Sequence, residues 1–221
     1  TVSPTSNPCP AGTFTDSTDL VNSGQCTQCP EGHSCGIGAT SSTLVDCPAG
    51  RVCSGGAVAG GEPICPSGTY SSRTKLTKTS DCTPCPAGSF CSGGSSSISG
   101  SCQAGYYCPA MTEYAREFPC PNGTYSNRTK LGSEDDCTKC TPGSYCGMTG
   151  LIAPTGLCDE GYYCGLGSSV SNPHDSNPFH ISYVGETCVN VSKDAVNDVC
   201  PPGHYCPEGS SGDRKSTRLN S

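Results

Sequence analysis

Tryptophan is absent from this 221-residue chain, and Leu, Ile, Val and Phe together number only 28. That lies well under the roughly 20% below which a chain struggles to build a conventional core. No stretch approaches the roughly 20 apolar residues of a membrane span, so no direct membrane insertion is expected of this segment. Basic residues are few, 12 against 19 acidic ones, for a net charge of -7; this excludes nucleic acid as an expected partner. No serine, histidine and acid arrangement and no phosphate loop stands out, and no cofactor is implied. No signal-peptide pattern is present and Thr1 opens the chain, which predicts a mature or truncated protein, not a cytosolic one.

What is abundant is glycine (29), proline (19) and above all cysteine (21). A chain this poor in apolar residues cannot offset its conformational entropy unaided. Cysteine at nearly one residue in ten is the signature of a disulfide scaffold, which persists in oxidising compartments. An extracellular or cell-surface location is therefore expected. Three N-x-[ST] sequons agree, at Asn122, Asn127 and Asn190.

The cysteines recur in a seven-residue form: CPEGHSC (from Cys29), CPAGRVC (Cys47), CPAGSFC (Cys85), CQAGYYC (Cys102), CTPGSYC (Cys140), CDEGYYC (Cys158) and CPPGHYC (Cys200). From Cys9 the steps between cysteines are 17, 3, 6, 12, 6 and 12; from Cys65 they are 17, 3, 6, 11, 6 and 12; from Cys120 they are 17, 3, 6, 12 and 6. CPSGTYSSRTKL (from Cys65) and CPNGTYSNRTKL (from Cys120) differ at two positions. These frames define repeats at residues 9–64, 65–119 and 120–164, after a linker at 1–8. Residues 165–187 break the frame as a linker or insertion, and Cys188, Cys200 and Cys206 belong to a partial repeat at 188–212.

In C-P-x-G, proline stands second and glycine fourth, which predicts a type I β-turn. Such a turn reverses the chain and leaves the two cysteines of each motif free to bond different partners. An aromatic residue precedes the closing cysteine at Phe90, Tyr107, Tyr145, Tyr163 and Tyr205, and Phe14, Tyr70 and Tyr125 follow CPxGT. Rings packed on disulfides are expected to replace a conventional core. Six cysteines permit fifteen connectivities. Pairing first with second, third with fifth and fourth with sixth gives separations of 17 or 18 throughout; bridging the shorter gaps, such as Cys35 to Cys47, is the rival.

The CPxGTY…CxxCPxG arrangement resembles the cysteine-rich repeats of tumour-necrosis-factor receptors. It resembles still more the ephrin-receptor-like repeats of large surface proteins, over residues 9 to about 209. That resemblance implies a small disulfide-rich fold, an elongated tandem array of modules with short β-hairpins, irregular loops and little helix. The receptor modules suggest the pairs Cys9–Cys26, Cys29–Cys47, Cys35–Cys53, Cys65–Cys82, Cys85–Cys102, Cys91–Cys108, Cys120–Cys137, Cys140–Cys158, Cys146–Cys164 and Cys188–Cys206, with Cys200 unpaired.

The ending DRKSTRLNS, residues 213–221, matches codon by codon the translation of a common sequencing-library adapter. It is set aside from fold reasoning, and the natural chain is expected to continue with further repeats. Without it, residues 1–212 carry nine basic and eighteen acidic residues, a net of -9.

Two functions are open: an extracellular structural or spacer segment of a repeat glycoprotein, or the ligand-binding ectodomain of a receptor or adhesion protein. Partners would be other extracellular proteins or further repeats of the same chain. The loops Pro10 to Gln25, Pro66 to Asp81 and Pro121 to Asp136 would be natural contact sites. An enzyme or metal protein is disfavoured. CxxC at Cys26/Cys29, Cys82/Cys85 and Cys137/Cys140 is explained by the six-cysteine frame, His174 and His180 lack further ligands, and Asp135 with Asp136 reads as a solvated acidic pair.

Overall fold

The computed structural model describes residues 7–160, 162–172, 197–199, 204–205 and 217–218. All eighteen cysteines among them, Cys9 through Cys164, are disulfide-bonded. The architecture is that of a small disulfide-rich protein: short antiparallel two-stranded hairpins follow one another along the chain, and among the described residues four single-turn 3₁₀ segments lie in the loops that join paired strands. Two compact bodies form, residues 1–101 with 108–115, and residues 102–107 with 116–221.

In the first body the hairpins pair Thr13–Phe14 with Thr27–Gln28, His33–Ser34 with Val45–Asp46, Thr69–Tyr70 with Thr83–Pro84, and Ser89–Phe90 with Gly100–Ser101. A bridge between Arg51 and Ile64 marks a further one. In the second body they pair Tyr106–Tyr107 with Phe118–Pro119, Thr124–Tyr125 with Thr138–Lys139, Ser144–Tyr145 with Gly156–Leu157, and Tyr162–Cys164 with Asn197–Val199. Each opens a few residues after the first cysteine of its own frame and closes just before the cysteine that heads the following one. Hairpins therefore start at Cys9, Cys29, Cys47, Cys65, Cys85, Cys102, Cys120, Cys140 and Cys158, so the physical period is 17 to 20 residues and three hairpins fill one 55- or 56-residue repeat.

The turn that leads into each hairpin's first strand differs from the expected type I. Thr13, His33, Arg51, Thr69, Ser89, Tyr106, Thr124 and Ser144 each donate a backbone N–H to the carbonyl of the residue three before. Proline, where present, is thus the first turn residue and glycine the third. Gly12, Gly32, Gly50, Gly68, Gly88, Gly105, Gly123 and Gly143 hold φ between 77° and 88°. A positive φ at the third position is what a type II turn demands of its glycine. The first position demands no fixed φ, so Gln103 and Thr141 stand where other copies have proline.

These glycines also lie against backbone. A Cβ on Gly68 would sit 2.1 Å from the Met111 carbonyl oxygen, one on Gly50 2.3 Å from that of Gly94, and one on Gly123 2.3 Å from that of Gly167. No side chain fits such gaps.

Within each body, neighbouring hairpins are joined by backbone hydrogen bonds that recur in register. The turn glycine donates forward to the next hairpin: Gly12 to the Cys35 carbonyl, Gly32 to Cys53, Gly68 to Cys91, and in the second body Gly123 to Cys146 and Gly143 to Cys164, all at 2.8–3.0 Å. A second rung runs back to the first cysteine of the preceding hairpin. Gly38 donates to Cys9, Gly56 to Cys29, Lys75 to Cys47, Gly94 to Cys65 and Met111 to Cys85; in the second body Lys130 donates to Cys102, Gly150 to Cys120 and Gly167 to Cys140. All eight of these donors have φ between 60° and 82°. Five are glycine, and Lys75, Met111 and Lys130 hold that left-handed conformation at a strain of about 1–2 kcal/mol each. Met111→Gly removes this strain at an exposed position, against about 0.5–1 kcal/mol of added backbone entropy. We expect it to raise stability by up to about 1 kcal/mol, read as a later urea midpoint with an unchanged slope.

The interior is mostly sulfur. Apart from cysteine, the buried hydrophobic residues among those described are Ala39, Val52, Leu76 and Leu131. They gather in small clusters: Val52 and Leu76 with Cys65 and Cys82, Ala39 with Cys29 and Cys35, and Leu131 with Cys120 and Cys137. Phe14 and Tyr107 pack against two of these clusters from a half-buried position. Other rings lie across the hairpin instead. A Cβ on Gly100 would meet the Phe90 ring at 2.8 Å and one on Gly156 the Tyr145 ring at 3.3 Å, so each ring covers its cross-strand glycine. Tyr107 stacks on Phe118 with centroids 5.7 Å apart.

Candidate functional site

The cystine frame corrects much of the expected pairing. Cys9–Cys26, Cys65–Cys82 and Cys120–Cys137 form at a separation of 17. Cys29, however, bonds Cys35 and not Cys47, and Cys47 bonds Cys53, so Cys35–Cys53 is also replaced. Cys85 bonds Cys91, which replaces Cys85–Cys102 and Cys91–Cys108. Cys140 bonds Cys146 and Cys158 bonds Cys164, replacing Cys140–Cys158 and Cys146–Cys164. Cys102 and Cys108 are disulfide-bonded as well. The rival Cys35–Cys47 bridge is likewise not formed. The physical reason is the type II turn, which folds the motif back on itself and brings its two ends to Cα separations of 5.7–5.9 Å, inside the range a disulfide spans. The turn closes the motif; it does not direct its cysteines to separate partners. Cys188, Cys200 and Cys206, with Asn190, His174 and His180, lie outside the described residues.

The hairpins at Cys9, Cys65 and Cys120 have no cysteine six residues on. Thr15, Ser71 and Ser126 stand there, and the first cysteine reaches instead to Cys26, Cys82 or Cys137. This bond pins a loop whose tip is a 3₁₀ turn, Ser23–Gln25, Thr79–Asp81 or Glu134–Asp136. Local hydrogen bonds shape each tip. Asn22 accepts from the Gly24 N–H at 2.9 Å, and the Gln25 side chain accepts from the N–H groups of Val21 and Asn22. Arg73 and Arg128 occupy equivalent places and donate to the Asp81 and Asp136 carbonyls at 2.9 and 3.3 Å.

Each CxxC pair is divided between two disulfides: Cys26 goes to Cys9 while Cys29 goes to Cys35, and the other two pairs divide alike. No CxxC here is a dithiol. Among the described residues no group of three or more His, Cys, Asp or Glu gathers to hold a metal ion. Asp136 is committed within its own loop: one carboxylate oxygen accepts from the backbone N–H groups of Gly132 (2.8 Å) and Ser133 (2.9 Å) and from the Ser133 hydroxyl. Those bonds, the Gly132 one foremost, hold its carboxyl below the usual aspartate range. The backbone and hydroxyl of Ser41 do the same for Asp16.

A folded value below the unfolded one stabilises the loop fully above the unfolded value and is lost as pH falls through the folded one. We expect the Gly132 and Ser133 amide resonances to titrate together below the ordinary aspartate value of about 3.9, in an NMR pH series. Asp136→Asn would abolish the titration.

Sequence reasoning missed a charged group in the first body. Glu62 is buried, with Arg51 Nη1 donating to its backbone carbonyl at 3.0 Å and standing 3.8 Å from its carboxylate. Burial works against ionisation of Glu62, but hydrogen bonding, including that from the Gly60 N–H, and the Arg51 charge outweigh it and hold the carboxyl low. Nearby in sequence, Asp46 is bracketed by His33 Nε2 at 3.3 Å and Lys75 Nζ at 3.1 Å. No sequence signal marks either group: Arg51 meets Glu62 and His33 meets Asp46 within one hairpin through its register, and Lys75 reaches Asp46 from another hairpin.

Of the sequons, Asn122 and Asn127 are exposed. Asn122 is the second residue of a turn whose Thr124 hydroxyl donates to the Pro121 carbonyl at 2.6 Å. Thr13 and Thr69 make the same bond. The surface also carries isolated apolar side chains, of which Val21 (86% exposed) and Ile37 (74%) are the most open.

The fold and its sulfur frame place the chain in the class of disulfide-stabilised proteins built from tandem cysteine-rich hairpins, a class that persists in oxidising surroundings. No protein-family model matches the chain, and no curated protein matches it.

Proposed function

We propose that this chain is a structural, non-catalytic segment of an extracellular repeat glycoprotein, serving as a spacer between other modules. The observation that carries the proposal is the recurring backbone ladder. Within each body, hairpins bond their neighbours through turn glycines and left-handed donors, while the side chains they turn outward are free to vary. An array of nearest-neighbour contacts supports function through repeat number more than through any one surface. It also explains why side-chain groups that differ between repeats, such as the Asp46 and Glu62 pairs, leave the frame unchanged. The ephrin-receptor-like resemblance and the exposed sequons support the extracellular placement.

The test is a display experiment on cultured animal cells. One 55-residue repeat (residues 65–119) is deleted or duplicated, and in separate variants the loop tips at 16–25, 77–81 and 132–136 are replaced by unrelated hydrophilic sequence that leaves the cysteines, the turn glycines and the ladder residues in place. A spacer moves a terminal tag towards or away from the membrane with repeat number and is indifferent to loop replacement. If a bound extracellular protein is lost on replacing one loop while tag height plays no part, the chain is a ligand-binding ectodomain instead.

A further inference from the structure

The disulfides fall into two classes by access. In the five closed motifs both sulfur-bearing residues are 0–1% exposed. The three loop-pinning bonds differ: their first cysteines are equally hidden, Cys9 at 2% and Cys65 and Cys120 at 0%, while their second cysteines, two of them still buried, are the less covered end. Cys82 is 7% and Cys137 8% exposed, and Cys26 is half-buried. The same end is the open one in all three repeats. Each open cysteine follows directly on a 3₁₀ tip with no buried residue. The ladder bonds that join hairpins within a body use the residues around the turn and leave the tip out.

We propose that Cys9–Cys26, Cys65–Cys82 and Cys120–Cys137 are sites of thiol–disulfide exchange, with a small thiol or dithiol as the reacting partner and the open cysteine as the sulfur attacked. A thiolate RS⁻ adds to the Cys82 sulfur, forming a mixed disulfide and expelling Cys65 as thiolate, which takes up a proton. A second RSH, as its thiolate, attacks the mixed disulfide and releases RSSR and the Cys82 thiol. The protein disulfide is reduced by two electrons and two RSH are oxidised. Exchange follows access as well as thiol chemistry, and the closed motifs present neither sulfur. Reduction would free the loops ending at Cys26, Cys82 and Cys137 while the hairpin ladder stays intact. It would convert three pinned loops into open ones on a standing frame.

The experiment uses the full oxidised chain. It is exposed to stepped low concentrations of glutathione or dithiothreitol, quenched with a light maleimide, fully reduced, labelled with a heavy maleimide and mapped by peptide mass spectrometry. Cys26, Cys82 and Cys137 and their partners should take the light label at least about tenfold faster than the closed-motif cysteines. With glutathione, the trapped adduct should sit on Cys82 and not on Cys65. Equal rates throughout, or earlier labelling of the closed motifs, would overturn the proposal. So would a Cys65→Ser/Cys82→Ser variant in which the closed motifs become as reactive as the loop bonds, since the ladder would then depend on the bond. Peptides bearing Cys188, Cys200 and Cys206 are resolved separately and enter neither outcome.

Discussion

Complete reduction should unfold this chain at neutral pH without denaturant. In the chain-entropy model a bridge closing six residues contributes about 2 kcal/mol and one closing seventeen about 3 kcal/mol. Nine bonds, which the eighteen bonded cysteines make, would then sum to roughly 20 kcal/mol, more than the 5–15 kcal/mol by which ordinary domains are stable. The other side of the comparison is small. Among the described residues Val52, Leu76 and Leu131 are the large buried aliphatics and supply only about 1.5–3 kcal/mol each, Ala39 less, and two-stranded hairpins are marginal alone. Far-ultraviolet circular dichroism and limited proteolysis before and after excess reductant at 25 °C give the measurement. Loss of signal together with cleavage throughout residues 7–172 is the expected result. A reduced chain that kept its spectrum and its protease resistance would mean that the hairpins hold without their sulfur. The two regimes are separable, since mild thiol should open the three pinned loops at concentrations that leave this signal in place.

The second large effect is expected at a single atom. Gly68→Ala adds a methyl group 2.1 Å from the Met111 carbonyl oxygen at a residue whose φ is +77°. The left-handed backbone alone costs about 1–2 kcal/mol with a Cβ. Relief of the overlap requires displacing the 111 backbone, which is itself bonded to the Cys85 carbonyl. The two costs combine, so we expect a loss of at least about 3 kcal/mol, read from urea unfolding of the oxidised protein. Gly36→Ala is the matched control. A Cβ there meets nothing within 4 Å and φ lies outside the left-handed range, so it should change stability by under about 0.5 kcal/mol. Similar losses in both would mean that the close approach at Gly68 plays no part.

Much of this frame was legible in the cysteine spacing. The reliance on disulfides and the division of each CxxC between structural bonds follow from counting, and the short hairpins from the resemblance. Two things were not. Uniform separations of 17 or 18 and the receptor resemblance favour bonds between motifs, but loop closure concerns the unfolded chain and is nearly indifferent among arrangements. What selects the bond is the turn, and reading it required knowing that Gly68 or Gly88 is its third residue and not its fourth. The 18-residue period was hidden for a related reason. Thr15, Ser71 and Ser126 stand where a cysteine would mark every third hairpin, so a cysteine count sees only the 55-residue superperiod. The charged groups around Glu62 and Asp46 were illegible because they depend on register, within a hairpin for Arg51 with Glu62 and His33 with Asp46 and between hairpins for Lys75 with Asp46, and cysteine spacing shows neither register.

The ladder has an evolutionary consequence. Because each hairpin meets its neighbours through main-chain atoms at fixed places, a duplicated stretch of genetic text can be spliced in without retuning any side chain at the joint. Copies can then drift apart almost everywhere but at the turn glycine, the donor needing only its left-handed backbone, whether glycine, lysine or methionine. Lengthening by whole hairpins is thus the cheap direction of change, and a gain or loss of a few residues between a turn and its donor is the forbidden one.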